Sequence, residues 1–238
     1  MQSKRCFMRR LLIALSALWL TAAAPAMAER LVVVELFTSQ GCSSCPPADA
    51  ILGELADRDD VIALALHVDY WDYIGWKDEF ASPAFTKRQR SYARVAGARS
   101  VYTPQMIVDG AEHIVGTKPM KLMEAIKAHQ DRSTPVTVTM TRNGDRVRIL
   151  AKSSARLPEG ATIRVATFTP RATVDIKRGE NAGRRLTYHN VVRNLVDVGT
   201  WDGSSDFRGS IQSPAGVPFV VLIQEGHHGP MLAADILR

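Results

Sequence analysis

Two cysteines three residues apart, set between an apolar run and the start of a helical pattern, constrain this chain more than any other feature. Residues 31–37 read LVVVELF, rich in β-branched side chains and broken only by Glu35. That is the pattern of a buried strand. Thr38-Ser39-Gln40-Gly41 forms a turn, and Cys42-Ser43-Ser44-Cys45-Pro46-Pro47 follows it. Beyond the prolines, Ala48, Ile51, Leu52 and Leu55 recur at helical spacing. Proline is tolerated in a first helical turn, where its missing N–H would lack a partner anyway. The segment therefore reads strand, loop, then Cys-x-x-Cys at a helix start.

That placement has chemical consequences. Residues three apart on a helical turn lie on one side, close enough for a disulfide. Unpaired N–H groups and the positive end of the helix dipole favour a thiolate there. Such surroundings lower a thiol pKa from about 8.5 to about 3.5–7.5. Cys42 is the expected nucleophile and Cys45 the resolving thiol. This reading requires Cys42 to be accessible at the helix mouth and close to Pro104. The alternatives are a static disulfide or a ligand set. Zinc needs four ligands, and no second cysteine pair exists to complete them.

The compartment follows from the first residues. Lys4, Arg5, Arg9 and Arg10 precede LLIALSALWL at 11–20, and Ala26-Met27-Ala28 supplies a small-x-small signal. This is the form of a secretory signal peptide cleaved after Ala28, with an apolar core too short to span a bilayer. The formal net charge is +6, and removal of those four positive charges leaves +2. A nucleic-acid partner is not expected from so small an excess. Composition is that of a globular chain, 46% hydrophobic and 23% charged, which excludes a disordered one. The mature chain is expected to be periplasmic or secreted, with no membrane attachment. Of its three cysteines only Cys42 and Cys45 remain, in an oxidising compartment.

Residues 61–68, VIALALHV, read as a second strand, parallel to the first through a helical crossover. Residues 69–100 are aromatic and polar, with Trp71 among them, and 84–98 suggest a basic amphipathic helix bearing Lys87, Arg88, Arg90 and Arg94. This insertion is either a substrate groove or a packed helical cover. Thr103-Pro104 introduces a hairpin over 105–115 with an Asp109-Gly110 turn. A helix over 118–130 should bury Met120, Leu122, Met123 and Ile126.

On the strand at 31–37, the Cys42–Cys45 motif and Thr103-Pro104, the sequence resembles the thioredoxin superfamily. The resemblance implies a cis Pro104 facing the cysteines, with Thr103 docking the substrate. Gly41 stands where thioredoxins carry Trp, and Ser43-Ser44 matches neither thioredoxins nor disulfide isomerases, so redox direction is not implied. More narrowly, ELFTSQGCSSCPPAD and HVDYWDYIGWKDEFASPAFTKRQRSYA look like a secreted bacterial thioredoxin-like family of unknown function, over roughly 29–238.

His67 and Asp69, at the second strand's end, are candidates to shuttle the exchange proton behind the thiols. His67 with both thiols is a conceivable copper ligand set. Past Ser133-Thr134-Pro135, alternating residues around an Asn143-Gly144 turn, with strands at 162–169 and 218–224, suggest a small β-sandwich. Residues 179–185 read as a polar glycine loop, and His189, His227 and His228 as surface residues or loop anchors.

The expected fold is thus an α/β thioredoxin-like domain at 29–132 with a helical insertion at 69–100, then a smaller all-β domain at 133–238. The expected function is thiol–disulfide exchange or redox sensing through Cys42 and Cys45, with Thr103, Pro104 and Trp71 meeting the substrate. Protein or small-molecule thiols and disulfides are the expected partners, and no resident metal or other cofactor is needed. The alternative is a non-catalytic module in which the pair binds copper or a partner, or is a structural bond.

Overall fold

The structure is a computed structural model that describes residues 30–238. The signal peptide expected at 1–28 lies outside the described residues.

β1 (Val32–Thr38) is buried along its whole length, as its unbroken apolar run requires. α1 (Pro46–Ala56) crosses to β2 (Val61–His67), which lies parallel to β1 from Val32↔Val61 to Thr38↔His67. A short 3-10 helix (Asp72–Ile74) leads to α2 (Pro83–Val95), whose Ser82 cap accepts a bond from the Ala84 N–H. β3 (Gln105–Val108) and β4 (Glu112–Val115) form a hairpin. Its turn holds Asp109 and Gly110 at φ 51° and 67°, the left-handed region that an Asp-Gly pair tolerates. α3 (Pro119–Gln130) follows.

The second half is entirely strands: β5 (Val136–Asn143), β6 (Arg146–Ser153), β7 (Ala161–Asp175), β8 (Arg185–Trp201), β9 (Phe207–Gln212), β10 (Phe219–Glu225) and β11 (Met231–Leu237).

Here the expected fold class is overturned. The chain is not an α/β domain followed by a separate smaller β domain. Strands from both halves form one mixed sheet of eight, in the order β11-β10-β7-β8-β2-β1-β3-β4. The described residues hold eleven strands and three α-helices, so β structure dominates. The seam is the parallel contact of β2 with β8 at Ala65↔Val191. Local patterning could not reveal it, because β8 reads RLTYHNVVRNLVDVGTW, with neither an unbroken apolar run nor a strict alternation. β8 pairs along its length with the preceding β7, from Asp175↔Arg185 to Ala161↔Trp201, and meets β2 at one point. β7 likewise extends to Asp175, beyond the strand expected at 162–169.

Parity along β1 sends alternate residues to two cores. Val32, Val34 and Leu36 pack with Ala48, Leu52 and Leu55 of α1 and Leu122 and Ile126 of α3. Val33 and Phe37 face the opposite way, with Phe85 and Tyr92 of α2 and Val220 and Leu222 of β10. A three-stranded sheet, β5-β6-β9, closes a third core over Ile163, Val165, Phe219, Val221 and Ile223.

Two helix faces depart from the sequence reading. α3 buries Leu122, Ala125, Ile126 and His129, while Met120 is 72% exposed and Met123 stands partly out. Arg88 of α2 is not on a solvated basic face. It is buried in a two-pronged ion pair with Glu35, at 2.7 and 3.0 Å. Glu35 is the polar break in β1, and α2 supplies its counter-charge.

Candidate functional site

Cys42 and Cys45 are joined in a disulfide, with Cα atoms 5.4 Å apart, at the start of α1. Cys45 is the helix N-cap, and its carbonyl accepts bonds from the N–H groups of Ala48 and Asp49. Prolines occupy the next two positions, so α1 begins without competing donors there. The requirement that Cys42 be accessible is not met in this disulfide state. Cys42 is 1% exposed and Cys45 is fully buried, although Ser43 and Ser44 between them are exposed. The physical reason is a cover that local sequence could not supply. Segments from the insertion and from the second half both close on the cysteine loop.

From the insertion comes the 71–78 segment. A Cβ at Gly41 would lie 3.2 Å from Trp71 Cβ and 3.3 Å from Ile74 Cδ1, so this segment packs directly on the cysteine loop. Trp76 Nε1 donates to Gln40 Oε1 at 2.7 Å. Asp78 Oδ2 accepts the Gln40 N–H at 2.8 Å. From the second half comes the loop between β7 and β8. Asn181 Nδ2 donates to the carbonyls of Gln40 and Cys42 at 2.9 and 3.0 Å, and Glu180 accepts the Ser43 N–H.

Thr103-Pro104 is a cis peptide bond. Pro104 is buried and reaches the first turn of α1 across Gly116, whose added Cβ would lie 2.9 Å from Ala48 and 3.1 Å from Pro104. Trp71 Nε1 donates to Thr103 Oγ1 at 2.8 Å. The structure thus brings Trp71, Thr103 and the cysteine loop together. Asp69 is engaged with Thr86 of α2, whose hydroxyl donates to its carboxylate at 2.5 Å.

His67 is fully buried, with Nδ1 2.7 Å from Asp78 Oδ2 and with the rings of Phe80 and Tyr188 against it. Its neighbour across the sheet is Thr38, which donates to Asp49 Oδ1 at 2.8 Å. Asp49 lies one helical turn beyond Cys45 and is buried. Burial raises its pKa to about 7, against the pull of His67 and the Thr38 hydroxyl. Burial also opposes ionisation of Asp78, but His67 and the N–H groups of Gln40 and Phe80 outweigh it and hold that carboxyl low. Tyr188 is pushed up by burial and by the carboxylates of Asp49 and Asp78. Asp49 Oδ2, His67 Nε2 and the Tyr188 hydroxyl are all buried without a hydrogen-bond partner.

Sequence reasoning passed over Asp49, Asp78, Tyr188 and Asn181. Only Asp49 left a local signal, since it sits on the apolar stripe of α1 between Ala48 and Leu52. Tyr188 and Asn181 are more than a hundred residues from the cysteines and have none. Among the described residues no group of three or more His, Cys, Asp or Glu side chains is placed to hold a metal ion, and no helix is long and apolar enough to cross a membrane.

Fold and site together define a mixed-sheet α+β protein with a covered Cys-x-x-Cys disulfide at a helix start. The chain belongs to the family described as "Protein of unknown function (DUF1223)", which it matches over residues 33–224. It is similar to a crystal structure of a protein from Agrobacterium tumefaciens, at 36% identity over 88% of this chain and 95% of that one, with a TM-score of 0.74. It also shares its fold with HBP35 of Porphyromonas gingivalis, at 14% identity, 88% and 75% coverage and a TM-score of 0.60. No curated protein matches the chain.

Proposed function

We propose that the chain is an exported thiol–disulfide oxidoreductase or redox sensor, and that its site, rather than its whole architecture, is akin to the thioredoxin superfamily. The observation that carries this reading is the convergence at one point: a disulfide at the first turn of α1, Pro104 beside that turn, and Asp49 one turn on. Titratable groups perturbed by burial cluster at functional sites, and a buried carboxyl one helical turn from the cysteine pair supports an active pair over a staple. Export rests on the signal-peptide pattern of residues 1–28, with cleavage expected after Ala28.

In the reducing direction the Cys42 thiolate attacks a partner disulfide, forming a mixed disulfide and releasing one partner thiolate. Cys45 then attacks the Cys42 sulfur, closes the ring and releases the second thiolate. Two electrons pass to the partner, and the two departing thiolates take up the protons that Cys42 and Cys45 gave up. Cys45 is buried, so its proton needs an internal acceptor. Asp49, one helical turn beyond Cys45 with one carboxyl oxygen unpartnered and its pKa raised by burial, is the proposed acceptor. Protein or small-molecule thiols and disulfides are the proposed partners, reaching Cys42 when its cover opens.

The test is a pair of variants. Cys42→Ser should abolish exchange with dithiols, and Cys45→Ser should accumulate mixed disulfides that reductant releases. If neither happens, the reading is wrong. One observation favours a second reading, a static bond: the near-complete burial of both cysteines. A disulfide that dithiothreitol opens only after the chain is unfolded would establish it.

A further inference from the structure

We propose that Asn181, in the loop between β7 and β8, is a positioning residue whose amide holds the Cys42 loop in its disulfide geometry and thereby sets the redox equilibrium of the pair. This rests on the redox reading above.

The amide is committed to the cysteine loop. Asn181 is 1% exposed, and its Nδ2 bonds the carbonyls of both Gln40 and Cys42. Its Oδ1 accepts from Arg184 Nη1 at 2.9 Å, which fixes the amide with nitrogen toward the cysteines. The loop that presents it is itself tightly tied. Ile176 and Arg184 close its base, Gly183 donates to the Ile176 carbonyl, and Ala182 donates to that of Gly179. Gly179, at φ 77°, comes so close to Trp76 that a Cβ would lie 3.1 Å from the Trp76 Cβ. A buried, preorganised donor therefore reads the position of a backbone carbonyl belonging to the nucleophilic cysteine.

Consider reduction by a dithiol: R(SH)2 and the protein disulfide give the cyclic R disulfide and the protein dithiol, two electrons and two protons passing to the protein. The Cys42 carbonyl also accepts the Cys45 N–H at 3.2 Å, so the disulfide, that turn and Asn181 together hold one carbonyl, and opening the S–S bond removes one of the three restraints. A contact that is stronger in one state biases the equilibrium toward that state. Asn181 thus favours the disulfide, and by reciprocity the disulfide holds the β7–β8 loop down. The second half of the chain is in this way part of the redox unit.

The experiment uses the full mature chain in dithiothreitol redox buffers, with the dithiol fraction read by alkylation and mass. Asn181→Ala should shift the equilibrium constant about tenfold toward the dithiol, which corresponds to about 30 mV for a two-electron couple. Asn181→Asp is isosteric and keeps the Arg184 contact, but offers two carbonyls only acceptors. It should shift at least as far the same way. A purely structural Asn181 would destabilise both redox forms alike and leave the constant unchanged. A change below twofold in both variants overturns the proposal. If the variants fail to fold, hydrogen exchange of the wild type decides. Reduction should speed exchange of amides in 176–184 at least tenfold, and equal rates in the two forms overturn it. A folded wild-type disulfide that no dithiol reduces defeats the redox reading itself and this inference with it. Normal reduction with an unmoved equilibrium defeats Asn181 alone.

Discussion

Two buried polar networks flank β1, one on each face, and they differ in how completely they are satisfied. On the α2 face, Glu35 takes both prongs of Arg88 and the Tyr92 hydroxyl, and Gln224 links Tyr92 and Arg88 to Arg164 of β7. None of these five side chains leaves a buried polar atom unpartnered. Burial opposes the charge of Arg88, and the Glu35 carboxylate more than offsets it, holding the guanidinium charged. On the α1 face, Asp49, His67 and Tyr188 each keep one buried polar atom without a partner. A fully paired network rigidifies and locks elements together. Here it ties β1 and α2 to β7 and β10, across the two halves of the sequence. On the α1 face, Asp49 can take up a proton on its unpartnered Oδ2 while Oδ1 keeps its bond from Thr38. The first network is fully paired, whereas the second contains one carboxyl, Asp49, that burial lifts to about 7.

That contrast can be broken by substitution. The largest effect is expected from Arg88→Ala, which strands the Glu35 carboxylate in the core. Loss of one partner of a buried pair costs about 3–5 kcal/mol, measurable as a fall in the urea midpoint at constant slope. Should the protein tolerate it with less than about 1 kcal/mol lost, the lock is not one.

Asp49→Asn should act in the opposite direction. Burial raises Asp49 from its ordinary 3.8 to about 7, so between those values the folded protein holds a proton that the unfolded chain has released. Stability therefore falls as pH rises from about 4 to about 7, with a loss on the order of 4 kcal/mol complete above that range. The Asn variant lacks this slope and should be the more stable protein at pH 8. Parallel unfolding curves of the two proteins across pH 4–8 would refute the assignment.

The finest comparison uses two tyrosines. Tyr92→Phe removes a hydroxyl that donates to Glu35 at 2.5 Å and accepts from Arg88 and Gln224, and should cost about 1–3 kcal/mol. Tyr188→Phe removes a hydroxyl with no partner and should change stability by about 0.5 kcal/mol or less. Equal costs would erase the distinction between the two networks.

How much of this was legible beforehand depends on sequence distance. β1, α1, β2 and the β3–β4 hairpin are each declared by a local pattern: the run at 31–37, the stripe through Leu52, the run at 61–68, and Asp109-Gly110 between short apolar segments. The cysteine pair is declared by its spacing. Arg88 misled, because a cation among Lys87, Arg90 and Arg94 looks solvated until Glu35, fifty-three residues earlier, is seen to face it. Met120 and Met123 misled because helical spacing allows more than one inner face. The packing of α3 on β1 selected Leu122 and Ile126 instead. The separate β domain was an error of another kind, since β8 adds itself to the free edge of β2.

The amino-acid order alone thus determined the local segments and one chemical fact, two thiols at the head of a helix. Spacing and side-chain character act over a few residues and need no partner to be read. The tertiary structure decided that the two halves share a sheet, that the cysteines are covered, and that Asn181, Tyr188 and Asp78 stand around them. Those relations arise where strand edges pair and charges find counter-charges across the fold, and no local pattern encodes which distant segment will arrive.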